Sequence, residues 1–285
     1  MSVIYGNLNV DEKYSGILEP NLFYESIFVP GVTFTDQYEE GPAGGIYVHK
    51  LSTAAVEPGK PGTDFTDEAT KDELIQIVLN NNFQKSKKIY GVQANAVAFP
   101  LANEQLSIAT KEVKEGWNLS GNACLVTEGT ASADTTAITS ATDALIDERT
   151  ALSKAKGKAD VVLCSPDFYG MLLKEAGDKF MPVRNDKIAS TGAIGTYLGF
   201  LVIEDNGLAA TSAKYINAAG TTKTATFTGV QFVMYNHKAL SIVNNLEAMR
   251  IVDSENFVGS KAQVEMNTGY KVTNADLVRV RKVSA

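Results

Sequence analysis

The hydrophobic period changes in the middle of the chain, and that change limits the folds open to it. Ala102, Leu106, Ala109, Val113, Trp117, Gly121 and Cys124 recur at spacings of three and four, which is one face of a helix. Lys111, Glu112, Lys114 and Glu115 populate the other side. The pattern predicts a helix over 101–125, about 37 Å long at 1.5 Å per residue. That exceeds the usual helix of a globular domain. Gly116 and Gly121 lie inside it, each costing ~1 kcal/mol relative to alanine, and one of them could break it. Extended segments precede and follow this stretch, so the fold has to house both one long helix and many strands.

Ahead of the helix, residues 1–30 carry Tyr5, Leu18, Leu22, Phe23, Tyr24, Ile27 and Phe28 with no sustained period. Apolar side chains without a period suit an arm that packs on something else, or a first helix near LFYESIF. GGIYVHKL (44–51) has strand character, with Ile46 and Val48 alternating against Tyr47 and His49. STAAVEPGKPGTDFTDEATK (52–71) is interrupted by Pro58, Gly59, Pro61 and Gly62. DELIQIVLNNNFQKSKKIYGV (72–92) reads as extended again, with Ile75, Ile77 and Leu79 on one face. Two strands joined by a polar connection this long make a projecting hairpin, which needs something to lie against.

After the helix, TEGTASADTTA (127–137) reads as a small-residue linker. A second helix follows, with Ser140 and Asp143 as a capping box and Ile138, Ala141, Leu145, Arg149 and Leu152 on one face. GKADVVLCSP (157–166) is a buried-type strand, DFYGMLLKEAG (167–177) a short helix and FLVIED (200–205) another strand. Residues 210–229 form a small polar hairpin, VQFVMYN (230–236) a strand and HKALSIV (237–243) a short helical or turn element. The tail, 246–283, alternates as strands with a bend around 257–261.

The chemistry-bearing residues point away from catalysis. In STGAIGTYLGFLVIEDN (190–206), Gly192, Gly195 and Gly199 precede a strand. A phosphate loop has the opposite order, strand then glycines then helix, so that backbone N–H groups face the anion. The stretch reads as a tight loop leading into a core strand. His49 and His237 are the two histidines, and neither has a carboxylate or cysteine at metal-ligand spacing. Cys124 and Cys164 both sit in apolar strings, as buried free thiols do, which suits a reducing cytoplasm. No cofactor or metal site is expected. With 285 residues, 44% of them hydrophobic, the chain has ample core material. Its net charge of −7 argues against a dedicated nucleic-acid binder. The N-terminal residues lack a signal-peptide pattern, and no run of ~18 apolar residues suggests a membrane span.

The order of these parts resembles the major capsid proteins of tailed bacteriophages, with the Hong Kong 97-like fold. The strings that carry the resemblance are DELIQIVLNNNFQKSKKIYGVQANAV, VVLCSPDFYGMLL with GAIGTYLGFLVIEDNGLA, and the run from VQFVMYNHKALSIV to LVRVRK. The resemblance implies an α+β fold with an N-terminal arm (1–42) and an extended β-hairpin loop (43–90). A long spine helix (91–127), an axial domain (128–240) and the return strands of a peripheral domain (241–285) follow. It implies assembly contacts at the loop tip, through Glu57, Pro58, Gly59, Lys60, Pro61, Gly62, Asp64 and Phe65. Arm contacts would come from Leu22, Phe23, Tyr24, Ile27 and Phe28, and Gly192, Gly195 and Gly199 would shape an axial-domain loop.

The implied function is structural. Copies would assemble into hexamers and pentamers of an icosahedral head built in the host bacterial cytoplasm. The shell would enclose double-stranded DNA without sequence-specific binding, and no membrane is involved. A portal, a decoration protein and a separate scaffolding protein are the implied partners, since no long charged prefix precedes the arm. Some relatives form lysine–asparagine crosslinks. Lys50, Lys60 and Lys71 lie in or near the loop and Asn256, Asn267 and Asn274 in the tail; none aligns with a crosslinking motif, and the lysines read as ordinary surface residues. Three other readings stay open at this point: an encapsulin-like nanocompartment shell, a phage tail or baseplate subunit, and a nucleotide-dependent cytoplasmic enzyme using residues 190–206.

Overall fold

A computed structural model describes residues 27–35, 45–51, 72–92, 100–176 and 193–284. The long helix, α1 (Leu101–Glu128), is the axis of the molecule. It runs through both glycines without a break. Gly121 is required there: a Cβ at this position would lie 2.5 Å from Cε2 of Phe28. The ~1 kcal/mol of lost helix propensity is therefore exchanged for a close approach that no larger residue permits.

Two sheets flank α1. The first has three antiparallel strands in the order β11 (Leu240–Asp253), β12 (Gly259–Val272), β3 (Asn81–Tyr90). Ala109 and Val113 of α1 share a buried cluster with Val264 and Met266 of β12. The second sheet has six strands, ordered β4 (Thr130–Ala131), β13 (Val278–Lys282), β10 (Val230–Tyr235), β5 (Val161–Cys164), β7 (Phe200–Glu204), β6 (Ala193–Tyr197). Pairings β5–β7 and β13–β4 are parallel, and the others are antiparallel.

Both faces of the six-stranded sheet are covered, which is why VVLC shows no alternation. Val162, Cys164, Phe232 and Met234 point to one side, under α2 (Ala141–Lys154) and α3 (Pro166–Ala176), where they meet Leu145, Leu152, Phe168 and Leu172. Val161, Leu163, Val233 and Tyr235 point to the other side, into the cluster that holds Ala123, Cys124 and Leu125 of α1. The C-terminal half of α1 is consequently buried on nearly every side, including its polar Asn122 and Ser120.

Local signals explain the ends of the elements. Ser140 caps α2 by accepting from the Asp143 amide, as the sequence predicts. The free amides of Ala141 and Thr142 are taken up by Glu175 of α3 at 2.8 and 2.9 Å. Arg149, expected on the buried face, is exposed instead, with its guanidinium 5.6 Å above the Phe200 ring. The linker expected at 127–137 begins as the last turn of α1, and then contributes β4 to the sheet edge.

Three further expectations are corrected. The extended run 72–92 is two strands in two sheets: β2 (Asp72–Val78) pairs with β1 (Gly45–Leu51), while β3 pairs with β12. The stretch after the break, NNNFQKSKK (80–88), is polar apart from Phe83, but both flanks stay extended, so residue types alone do not show that the partner changes. The glycine stretch is itself a strand, β6, joined to β7 by a two-residue hairpin. Leu198 and Gly199 both have positive φ, 53° and 84°, the backbone of a type I′ turn. Segment 237–243 is one 3-10 turn, His237–Ala239, followed directly by the fourteen-residue strand β11. The polar hairpin at 210–229 is present as β8 (Ser212–Ile216) and β9 (Thr222–Thr226).

Candidate assembly surfaces

The β1–β2 ribbon has one face on the core and the other bare. Its inner face follows the sequence pattern. Ile46 and Ile77 pack with Val243 of β11, supported by Val48 and Leu79. The ribbon crosses β12 at Gly269, where a Cβ would lie 2.8 Å from the Val78 carbonyl oxygen. Its other face carries Tyr47 at 58% and Leu74 at 57% exposure. Both project from that face with Gln76 and His49, since Tyr47 pairs with Gln76 and His49 with Leu74. Gln76 donates to the Tyr47 hydroxyl at 3.1 Å, and the His49 ring nitrogen Nδ1 stands 2.6 Å from Asp72 Oδ2. A two-stranded ribbon is marginally stable alone in water. Its exposed tyrosine and leucine are the residues a further surface would cover.

The predicted contact residues divide into three groups. The loop-tip set, Glu57, Pro58, Gly59, Lys60, Pro61, Gly62, Asp64 and Phe65, lies outside the described residues, as do Leu22, Phe23, Tyr24 and Gly192. Ile27 and Phe28 are described, and each is 3% exposed against its own chain. Phe28, Phe34 and Trp117 form an edge-to-face cluster with centroids 5.8–6.4 Å apart. Thr35 continues this anchor, donating its amide to the Leu240 carbonyl at 2.9 Å. Gly195 sits at a register shift in β6, and Gly199 in the turn that follows.

The histidines and cysteines are placed structurally. Nδ1 of His237 contacts Asp160, whose other oxygen accepts the His237 amide at 2.8 Å, fixing the turn between β10 and β11. Burial pushes the thiols of Cys124 and Cys164 well above the ordinary range, so both stay protonated. Among the described residues no group of three or more His, Cys, Asp or Glu side chains converges on a metal position. No helix among them is long and apolar enough to cross a membrane.

Two polar features escaped the sequence reading. Asp205 is fully buried at the end of β7, where it accepts from Asn122 of α1 at 2.5 Å and from the Gly207 amide at 2.7 Å. Desolvation pushes its carboxyl up to about 6, against the lowering effect of those two bonds. Arg281, buried on β13, binds Asp134 Oδ2 at 2.6 Å and the Thr136 carbonyl at 3.2 Å, which ties the segment after β4 to the sheet. A charge ending an apolar strand was the available signal for Asp205; Arg281 gave none beyond strand alternation.

No protein-family model matches the chain, and no curated protein matches it in sequence. Solved structures do match. A capsid structure of the cyanophage P-SCSP1u aligns with a TM-score of 0.70 at 13% identity, covering 96% of this chain and 92% of that one. A chain of the bacteriophage PhiM1 mature capsid aligns at 0.65 and 15% identity, over 100% of this chain and 96% of that one. The chain has the phage capsid fold. A chain of Mycobacterium phage Che8 aligns at 0.67 and 18% identity, over 97% and 98% of the two chains. The α+β capsid fold that the order of strings implied is therefore the observed architecture.

Proposed function

We propose that this chain is a structural major capsid protein. Its copies would assemble into the hexamers and pentamers of an icosahedral phage head around double-stranded DNA. The observation that carries the proposal is coverage in both directions: the capsid fold accounts for 96–100% of this chain and 92–98% of the three aligned ones. The ribbon supports the same reading, because Tyr47 and Leu74 are exposed on an element that cannot stand alone.

In this proposal residues 1–42 are the arm, 43–90 the extended loop and 91–127 the spine. Residues 128–240 are the axial domain and 241–285 the peripheral return strands. Strand β13 is shared across the last boundary, since it pairs with β10. Contacts between copies run through Tyr47 and Leu74 together with the loop tip at 57–65 and the arm ahead of Ile27. A separate scaffolding protein, a portal and a decoration protein complete the head, which is built in the host bacterial cytoplasm. The shell contains the DNA without binding its sequence, in keeping with a net charge of −7.

Negative-stain electron microscopy of the purified protein, alone and with its scaffolding protein, tests the proposal. Closed shells or flat capsomer sheets are the expected result, and shells formed in the host should hold DNA. Persistent monomers under both conditions would overturn it.

A further inference from the structure

The ribbon leaves the body of the protein at the two residues between β2 and β3, and this exit is gripped from outside the sheet. Asn81, the first residue of β3, is 3% exposed and uses its carboxamide twice on one residue of β8. Its Oδ1 accepts from the Ile216 amide at 2.7 Å, and its Nδ2 donates to the Ile216 carbonyl at 2.9 Å. A residue in an antiparallel strand exchanges the same pair of bonds with its partner, so this side chain acts as one residue of a third strand. Beside it, Asn80 Nδ2 donates to the Asn217 carbonyl at 2.6 Å and Asn80 Oδ1 accepts from Asn81 at 3.1 Å.

The gripped object is itself stiff. Asn217 turns its own side chain inward to accept from the Ala219 and Thr221 amides at 3.1 and 2.9 Å, closing the turn between β8 and β9. Gly220 holds a φ of +74° in that turn. Within β8, Ser120 of α1 donates to the Lys214 carbonyl at 2.8 Å. Ala213, Tyr215 and Ala225 face the same buried cluster as the C-terminal half of α1. The hairpin is thus fixed to the helix, and the exit of the ribbon is fixed to the hairpin.

We infer that the β8–β9 hairpin is a bracket that sets the direction in which the ribbon projects, with Asn81 as the positioning residue. This inference rests on the proposal that the ribbon meets a neighbouring copy. A ribbon aimed before contact loses less freedom on docking, which favours assembly without any new contact. The packing of Ile46 and Ile77 on Val243 and the crossing at Gly269 hold the inner face of the ribbon, and the bonds of Asn80 and Asn81 hold its exit.

The test uses full-length, unassembled subunits, so that it does not depend on whether shells form. Nitroxide labels at Lys50→Cys on the ribbon and Thr224→Cys on β9 report the distance between the two elements by pulsed electron paramagnetic resonance. Both positions are exposed, and the native Cys124 and Cys164 are buried and do not take label. The parent pair should give one narrow distance distribution. Asn81→Ala should at least double its width and speed hydrogen exchange at the Ile216 amide. Asn82→Ala, which removes only a bond to Glu265 on the open face of the neighbouring sheet, should leave both unchanged. An Asn81→Ala subunit with the parental width overturns the inference. If that variant does not fold, Asn80→Ala, which loses the bond to the Asn217 carbonyl, carries the same comparison. A parent subunit that forms no shells, alongside a broadened distribution in Asn81→Ala, would count against the capsid proposal and leave the bracket standing.

Discussion

Replacing Asp205 by asparagine should change how the stability of the subunit depends on pH. The carboxyl is buried between β7 and α1, with two hydrogen-bond donors and no cation among the groups that lower its pKa. Its folded value of about 6 lies above the 3.8 of an exposed aspartate. The folded state therefore holds a proton that the unfolded state has released, and this occurs between pH ~4 and ~6. Stability falls as pH rises through that window and levels off above it. A shift of roughly two units at 1.36 kcal/mol each makes the loss about 3 kcal/mol. The carboxamide introduced by Asp205→Asn would stay neutral, keep the bond from the Gly207 amide, and face Asn122, whose unbonded Oδ1 could turn to accept from it. Denaturation midpoints of parent and Asp205→Asn subunits, measured at intervals from pH 4 to 7.5, give the comparison. The difference between the two curves should shift by about 3 kcal/mol in favour of the variant as pH rises, or about 6 °C in Tm for a domain of this size. Other carboxylates titrate in both proteins and cancel in the difference. Parallel curves would refute the assignment of a neutralised buried acid at this joint.

Three further outcomes are expected. Gly121→Ala drives a methyl group into the Phe28 ring. Overpacking of about 1–3 kcal/mol outweighs the ~1 kcal/mol gained in helix propensity, so a thermal melt should show net destabilisation. Tyr47→Ser with Leu74→Ser should leave the melting temperature of the free subunit within about 1–2 °C, because surface changes away from packing rarely exceed about 0.5 kcal/mol. The same double variant should lower the yield of shells in sedimentation, and an unchanged yield would remove this face from the contact. Deleting residues 56–67 should leave a folded subunit by circular dichroism and weaken shell formation; shells of undiminished stability would exclude the loop tip as a contact.

Much of the fold was legible because the informative residues are governed by local rules. The spine-like helix showed itself through Ala109, Val113 and Trp117, which face one sheet along one stripe. Its last turns were harder to read, since burial on every side removes the stripe, and Asn122 looks like a surface residue until Asp205 is placed beside it. The break at Leu79 and Asn80 was hidden for a different reason. Both strands are extended, and the polar run that follows Leu79 reads as a solvated strand face, so the change of partner, from β1 to β12, is what marks the break. The contact surfaces were the least legible. Tyr47 and Leu74 stand in strands with good alternation, and a strand pattern states which side is apolar without saying whether that side finds a cover within its own chain. Asn81 gave only a run of three asparagines. Its role depends on a hairpin that lies 135 residues further along the chain.

The distribution of packing within the molecule explains why these surfaces should face other copies. The C-terminal half of α1, the six-stranded sheet and the inner faces of α2 and α3 form two well-buried clusters. At the other end, β11 is a fourteen-residue strand on the edge of its sheet, and among the described residues only Thr35 bridges its outer side, at Ser241. Met249 and Ile251 are exposed along that edge. A long edge strand is a template for further pairing, and the charges of Arg250 and Asp253 restrict which chains can use it. The ribbon adds a second element with one face covered and one bare. A monomer selected to remain alone would blunt such edges; here they are long, and one is held in position by Asn81. Stability is concentrated where the subunit is complete. The elements left open are those whose missing surface a symmetric neighbour would supply.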